Sequence, residues 1–155
     1  MDKLITPDAP TIAIFGSYRH GRMKPVRAAI AEFRANGIRV TTPPDTDPLD
    51  PHDSFVRFPG DDANMPDHEI EAKILEIAKQ SDATWVCCPN GYVGRATSYE
   101  IGHMKQSEAA LYFSELPMKE EPWIRLAAIG RVATLSAMVK LLHDGTVTPI
   151  SSRYD

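Results

Sequence analysis

The stretch GYVGRATSYEIG, residues 91–102, directly follows the apolar run ATWVCCPN and places three glycines around a tyrosine, an arginine and a glutamate. A short apolar run that ends in such a turn is typical of a buried parallel strand leaving a sheet. Thr97-Ser98-Tyr99-Glu100 then matches a helix capping box, in which the threonine and the glutamate satisfy each other's main-chain N–H groups. The stretch therefore predicts a strand, a glycine-rich turn and a helix that begins at Thr97.

Glu100 has two alternative roles at this helix start. A carboxylate at the third helical position lies at the positive end of the helix dipole, which lowers its pKa and keeps it ionised at neutral pH. Such a carboxylate can cap the helix or act as a nucleophile toward a ligand, and the helix signal alone does not choose between them. Gly102 favours the ligand, because a glycine inside a helix costs about 1 kcal/mol relative to alanine and predicts that something packs against its backbone.

Strands and helices alternate along the rest of the chain. The predicted strands are 11–18, 38–43, 83–89, 109–116 and a short last one at 130–135, and the predicted helices are 25–36, 66–81, 97–107, 121–128 and 136–143. This alternation predicts an α/β fold, a flavodoxin-like (Rossmann-like) doubly wound parallel sheet of about five strands in the order 2-1-3-4-5. We expect a single domain over residues 1–155, with its core at about 11–143 and a long loop over 43–65.

The predicted strand order places a crevice at the carboxyl ends of strands one and three, whose helices leave toward opposite faces. The loops GSYRHGR (16–22) and NGYVGRATSYE (90–100) would line this crevice, and both run into a helix N-terminus, which favours an anion. The candidate substrate-binding residues in these loops are Gly16, Ser17, Arg19, Gly21, Arg22, Asn90, Gly91, Tyr92, Gly94 and Thr97. The alternative for the first loop is a polar turn with two solvated arginines. The pattern GxGxxG is absent, which argues against a nicotinamide-dependent dehydrogenase.

Composition limits the partners. The net charge of −4 leaves no basic field to hold long nucleic acid or an anionic membrane, so we expect a small-molecule partner. Cys87 and Cys88, the two cysteines, are neighbours in an apolar run and read as reduced core residues, which indicates a cytoplasmic location. The N-terminus lacks the apolar segment of a signal peptide, and no run is long enough to span a bilayer.

The segment PPDTDPLDPHDSFVRFPGDD, residues 43–62, is longer than an ordinary connection and contains six aspartates. Carboxylates suit hard cations, but the proline-broken spacing matches no calcium loop, and the histidines lie in no zinc spacing, so we predict no metal and no cofactor. The segment could instead act as a lid. Phe55, Val56 and Phe58 would then close over an apolar ligand group, and Asp62 would make a polar contact.

The two quoted loops carry a resemblance. GYVGRATSYEIG after a strand, together with IFGSYRHGR after the first strand, resembles the nucleoside 2-deoxyribosyltransferase family and its relatives, the 2-deoxynucleoside 5-monophosphate N-glycosidases. The resemblance covers about residues 11–116 and implies that Glu100 attacks the anomeric carbon of a sugar and that Tyr18 orients it. It also implies that Ser17, Arg19 and Arg22 contact a 5-phosphate, that segment 43–62 contributes to the base pocket, and that copies of the chain form a homo-oligomer.

The chain departs from the family pattern at the acid that protonates the departing base. Family members carry an aspartate on the helix before strand three, where this chain has Ile74. Glu71 and Asp67 lie one and two turns earlier on that helix, and either could replace it. The alternative is that Asp67 is a first-turn acid favoured by the helix dipole and Glu71 a solvated charge.

Two other functions remain open from sequence. A noncatalytic nucleotide-binding or sensing domain would keep the phosphate loops and use Glu100 as a cap. A phosphoribohydrolase of the cytokinin-activating type also places a glutamate at a glycine-rich helix start, although its PGGxGTxxE string is matched poorly by PNGYVGRATSYE.

Overall fold

The structure, a computed structural model, describes residues 5–153. Its centre is a parallel sheet with the strand order β2-β1-β3-β4. The strands are Thr11–Gly16 (β1), Arg39–Thr42 (β2), Ala83–Cys87 (β3) and Leu111–Phe113 (β4). Because β1 and β3 pair from Ile12 with Ala83 to Gly16 with Cys87, their carboxyl ends lie side by side at one edge of the sheet. The α/β class and the neighbouring positions of β1 and β3 are confirmed.

Helices cover both faces of this sheet. They are Met23–Ala35 (α1), Asp67–Gln80 (α2), Arg95–Gln106 (α3), Pro122–Ala128 (α4) and Leu135–Asp144 (α5). Successive side chains of a strand point to opposite faces, so Ile12 and Ile14 pack with α1 and α5 while Ala13 and Phe15 pack with α2, α3 and α4. The helices that follow β1 and β3 therefore lie on opposite faces, as the sequence predicts.

Residues 130–135 do not form a fifth strand. Val132 alone pairs, through a single parallel bridge to Phe113, and Thr134 then caps α5 by accepting a hydrogen bond from the amide of Ala137 at 3.2 Å. The helix cap follows so closely that no strand can extend beyond Ala133. The prediction of about five strands is wrong, and among residues 5–153 the sheet has four.

The chain beyond α5 returns to the core. Ile150 is buried, and its amide donates to the carbonyl of Ala109 at 2.8 Å. Lys105 on α3 is also buried and donates to the carbonyl oxygens of Ser151 and Arg153. The core therefore extends past residue 143, where the sequence predicted its end.

The segment between β2 and α2, residues 43–66, contains neither helix nor strand. Arg57 ties its second half together, because its guanidinium donates to the main-chain oxygens of Asp62 and Met65 and to the carboxylate of Asp67 at the start of α2. Within residues 5–153, no helix combines the length and the apolar character needed to cross a bilayer.

Candidate active site

A cavity of about 530 Å³ opens at the carboxyl ends of β1 and β3. That volume is typical of a site for a small organic ligand. Its walls come from the loop after β1, the loop and first two turns of α3, one face of α2, and segment 43–66. Ten of the predicted catalytic and polar substrate-binding residues line it: Gly16, Ser17, Tyr18, Arg19, Asp62, Glu71, Tyr92, Gly94, Thr97 and Glu100.

The loop after β1 contributes a cation with unused hydrogen-bonding capacity. Gly16 lies so close to β3 that a Cβ there would approach the carbonyl oxygen of Cys87 to 2.8 Å, which explains a glycine at this position. Nη2 of Arg19 donates to the carbonyl of His52 in segment 43–66 at 3.1 Å. Nε of Arg19 is buried and has no hydrogen-bond partner among the described residues. Arg19 also lines the cavity, where its positive charge favours an anionic group.

The N-terminus of α3 forms the adjacent wall. Gly94 is the N-cap, no described side chain caps the helix, and Gly94, Arg95, Ala96 and Thr97 all line the cavity. Unpaired N–H groups and the positive end of the dipole favour a negatively charged group here. Arg95 and Ala96 were not predicted, because the sequence places the helix start two residues later.

The capping box predicted for Thr97 and Glu100 is wrong. The helix begins at Arg95, so Glu100 lies in its second turn, and the hydroxyl of Ser98 donates to the carbonyl of Gly94 at 2.8 Å. Glu100 therefore lies past the first turn of the helix, which is the turn where the dipole acts most strongly. Its side chain is only 7% exposed and lines the cavity instead of folding back onto its own helix start.

The predicted lowering of the Glu100 pKa is also wrong. Burial raises the pKa of Glu100 well above the ordinary value of 4.5, and the charge of Glu71 and a hydrogen bond with it add to the rise. Desolvation disfavours the ionised form, and no cation of the described chain pairs with this carboxyl to offset it.

Glu71 on α2 is the partner of Glu100. Burial raises the pKa of Glu71, and the hydrogen bond with Glu100 opposes that rise. Oε1 of Glu71 is buried and has no hydrogen-bond partner among the described residues. Like charges so close cannot both ionise readily. The two carboxyls therefore favour a state in which they share one proton.

Tyr18 lies beside this pair without bonding to it as a donor. Its hydroxyl donates to the carbonyl of Ile14 at 3.0 Å, and its ring meets that of Phe58 edge-on at 5.6 Å between centroids. Burial, followed by the charges of Glu100 and Glu71, raises the pKa of Tyr18 well above 10.0. Tyr18 therefore carries a neutral hydroxyl, and its ring forms the cavity wall between the carboxyl pair and Phe58 of segment 43–66.

Several predicted residues lie outside the cavity walls. The carboxylate of Asp67 pairs with Arg57 at 2.6 Å and is 55% exposed. The guanidinium of Arg22 lies over the ring of Tyr92, 3.9 Å from its centroid, and so supports a wall residue. Asn90 is exposed, Gly21 faces a neighbouring groove, and Gly91 packs against residues 116–118.

Segment 43–66 and α2 together form an apolar end of the cavity. Phe55, Val56 and Phe58 line it from the segment, as predicted, and Ile70, Ile74 and Ile77 line it from α2. The position at which the family pattern has its aspartate, Ile74, thus faces the ligand space as an apolar group. The spacing of these isoleucines indicated the buried face of α2 but not that it borders a cavity.

Neither a metal site nor a known relative helps to assign this cavity. Among residues 5–153, no group of three or more histidine, cysteine, aspartate or glutamate side chains is arranged to hold a metal ion. No family model, curated protein or solved structure matches the chain.

The arrangement has the parts that a reaction at a glycosidic carbon needs. It offers an anion-binding end at Arg19 and the N-terminus of α3, an apolar end at segment 43–66 and α2, and the hydrogen-bonded carboxyls of Glu71 and Glu100. Retaining glycosidases use such a pair as nucleophile and as acid.

Proposed function

We propose that this protein cleaves or transfers the N-glycosidic bond of a nucleoside or a nucleoside 5-monophosphate, with Glu100 as the nucleophile. The observation that carries the proposal is the buried carboxyl of Glu100, which shares a cavity with a second carboxyl, that of Glu71, and with the side chain of Arg19. A carboxyl that only capped its helix would turn back toward the N-terminal amides of α3.

The two ends of the cavity suit the two ends of a nucleotide. A phosphate placed by the loop after β1 would accept hydrogen bonds from the guanidinium of Arg19, from Ser17 and from the first-turn amides of α3. A planar base would lie against Phe55, Val56 and Phe58, whose apolar surface water hydrates poorly. The sugar then spans the middle, where Glu100 lies.

The chemistry uses charge that develops at the first carbon of the sugar. As the bond to the base breaks, this carbon acquires oxocarbenium character, and a carboxylate held beside it stabilises the charge or forms a glycosyl ester. A wall of low polarity strengthens that attraction relative to water. Water or a second base then resolves the ester, which gives hydrolysis or transfer.

The location, the assembly and the partners of the protein belong to the same proposal. We place the protein in the cytoplasm as a homo-oligomer that acts on a small molecule without cofactor, metal, long nucleic acid or membrane. Apolar side chains on the surface support the assembly of copies, because Ile129 and Val132 are 64% and 46% exposed.

The test is release of free base from a panel of ribo- and deoxyribonucleosides and their 5-monophosphates, followed by chromatography. Wild type should release base from at least one of them, and Glu100→Ala should lower kcat by at least about 10³-fold, as loss of a nucleophile does. Glu69→Ala is the matched control, since Glu69 is an exposed acid of α2 outside the cavity and should leave the rate unchanged.

The competing binding module gives a different result in the same experiment. It would show no turnover with any compound, together with thermal stabilisation by a nucleotide that persists in Glu100→Ala. That pair of results would replace the enzyme by a nucleotide sensor.

A further inference from the structure

The carboxyls of Glu71 and Glu100 are brought to the same point by elements that border different ends of the cavity. Glu71 lies on α2, beside Ile70 and Ile74 of the apolar end. Glu100 lies one turn beyond the α3 N-terminus, which forms the anion-binding end. A nucleotide oriented by those ends presents its sugar to Glu100 and its glycosidic nitrogen to the α2 side, where Glu71 is the carboxyl.

Other acids of the cavity are less suited to protonate a base. Asp61 accepts a hydrogen bond from the amide of Phe58 at 2.8 Å, and Asp62 accepts one from the amide of Asn64 at 2.9 Å, so both side chains already hold their own loop. Tyr18 already donates its proton to the carbonyl of Ile14. Asp67 is paired with Arg57 outside the cavity. Glu71 alone among these groups lies against a source of protons, the carboxyl of Glu100.

Resting on the proposed function, we infer that Glu71 is the acid that protonates the departing base, and that it receives this proton from Glu100 as Glu100 becomes the nucleophile. The proton that the two carboxyls share must lie on Glu71, and not on Glu100, when Glu100 attacks. This sharing explains how one carboxyl can be ionised and the other neutral when both are shielded from water.

The steps balance in atoms and charge. The O–H bond of Glu100 breaks and its proton binds the carboxylate of Glu71. Glu71 then gives that proton to the base nitrogen as the C1–N bond breaks with its electron pair going to the base, and the Glu100 carboxylate forms an ester bond to C1. In hydrolysis, water adds to C1, the ester bond breaks, and the proton of water passes to Glu71 and back to Glu100. The net change is nucleotide plus water giving free base and sugar phosphate.

The experiment compares leaving groups that do and do not need a proton. Guanosine 5-monophosphate and its deoxy form require protonation of the base. N7-methylguanosine 5-monophosphate and nicotinamide mononucleotide carry a positive charge on the base already and can depart without it. For Glu71→Gln, kcat on the guanosine monophosphates should fall by about 10²- to 10⁴-fold. On the two charged compounds it should fall by less than about tenfold, because no acid is needed.

Matched variants separate this role from general damage. Glu69→Gln, on the exposed face of the same helix, should leave all rates unchanged. Glu100→Gln should lose activity on both kinds of leaving group, since it removes the nucleophile. A thermal unfolding curve checks the fold, and Glu71→Gln should not lower the midpoint at pH 7, because it removes a carboxyl whose ionised form is disfavoured by burial.

The outcomes separate the inference from the proposed function. Equal losses on both kinds of leaving group in Glu71→Gln would overturn the inference, because Glu71 would then only position Glu100. Rescue of Glu100→Gln by the charged compounds would also overturn it and would exchange the two roles. A wild type that releases no base from these compounds or from the wider panel would defeat the proposed function itself.

Discussion

Glu100 is a carboxylic acid held against a second one inside the protein, and this contact has a measurable energetic consequence. Burial and the charge of Glu71 favour the neutral form of Glu100 and raise its pKa in the folded state. In the unfolded chain the same group returns to the ordinary value of 4.5. A difference in pKa between the two states makes stability depend on pH, by about 1.4 kcal/mol for each unit.

The stability of wild type should fall as the pH rises from about 5 toward 9. A group whose folded-state pKa is raised contributes stability that is complete below its unfolded pKa and is lost as pH rises through the folded pKa. Glu100→Gln cannot ionise, so its free energy of unfolding should vary less over this range and should exceed that of wild type at pH 8. Urea unfolding at several pH values measures this.

Glu69→Gln, which removes an exposed acid of the same fold, should keep the pH dependence of wild type. A Glu100→Gln curve that runs parallel to the wild-type curve from pH 5 to 9 would show that Glu100 is ionised normally in the folded state. The buried pair as described here would then not exist.

At the scale of single elements, the spacing of apolar residues and the positions of proline and glycine predict most of the helix bounds. Pro25 and Asn36-Gly37 bracket α1, and Glu121-Pro122 marks the start of α4, so these helices lie within two residues of their predicted bounds. The start of α3 was missed because two cap signals compete. Thr97 with Glu100 matches the capping box, but Gly94 is the N-cap. The helix therefore begins at Arg95, two residues before the predicted start.

The site itself was only partly predictable for a related reason. The two glycine-bearing loops could be assigned to one crevice, because parallel strands one and three end at the same edge. The contact between Glu71 and Glu100 could not, since it depends on the rotation of α2 against α3, and periodicity alone gives only the apolar face of each helix. The tie between Arg57 and Asp67 is equally invisible in sequence, although it removes Asp67 from the cavity.

Gly102 in α3 illustrates a wrong expectation that yields a prediction. The sequence indicated a packing partner, but a Cβ at Gly102 would meet nothing within 4 Å. Gly102→Ala should therefore stabilise the protein by about 0.5–1 kcal/mol through better helix propensity. Chemical denaturation measures the change in the free energy of unfolding.

Gly91→Ala provides the contrast. Gly91 has a φ of 77°, and a Cβ there would lie 2.9 Å from the carbonyl oxygen of Leu116 and from the amide of Met118. This variant should be destabilised by about 1–3 kcal/mol. A destabilised Gly102→Ala would instead reveal a contact made by that face of α3 with another molecule, such as a second copy of the chain.

The contacts of Arg57 determine how readily segment 43–66 opens. Its guanidinium closes the second half of the segment through two main-chain oxygens and the Asp67 carboxylate. Arg57→Ala should lower the free energy of opening this segment by about 1–3 kcal/mol, which is roughly 5- to 150-fold faster cleavage by chymotrypsin near Phe55 and Phe58. Mass spectrometry of the early fragments locates the cut.

Arg27→Ala is the control for that experiment. Arg27 pairs with Asp45 and Asp47 of the same segment, but these ion pairs are exposed and contribute little. Its cleavage rate should stay close to that of wild type. Equal acceleration in both variants would show that the segment is held by its overall charge and not by the Arg57 contacts.

At the scale of the whole molecule, the cavity depends on both faces of the sheet. The loop after β1 leads to α1 on one face and the loop after β3 leads to α3 on the other, so a ligand between them joins parts that separate when the sheet comes apart. Ligand binding should accordingly stabilise the fold as a unit. Cys87 and Cys88 lie at the end of the central strand β3, so the reactivity of their thiols can be used to follow unfolding of the sheet.

Both thiols should be inert in the folded protein and should react together. Burial raises the pKa of Cys87 to about 12, aided by Cys88 and Glu115, and burial also raises the pKa of Cys88 against the hydrogen bond from Ser114. Because the thiolate is the reacting species, modification requires β3 to leave its neighbours β1 and β4. A disulfide reagent should thus modify two thiols per chain at one common rate that follows the global free energy of unfolding.

A nucleotide bound in the cavity should slow the modification of both thiols by the same factor, about 1 + [L]/Kd. One thiol reacting well ahead of the other, or only one slowed by the nucleotide, would mean that the edge at β4 opens separately and that the sheet and its cavity do not unfold as one unit.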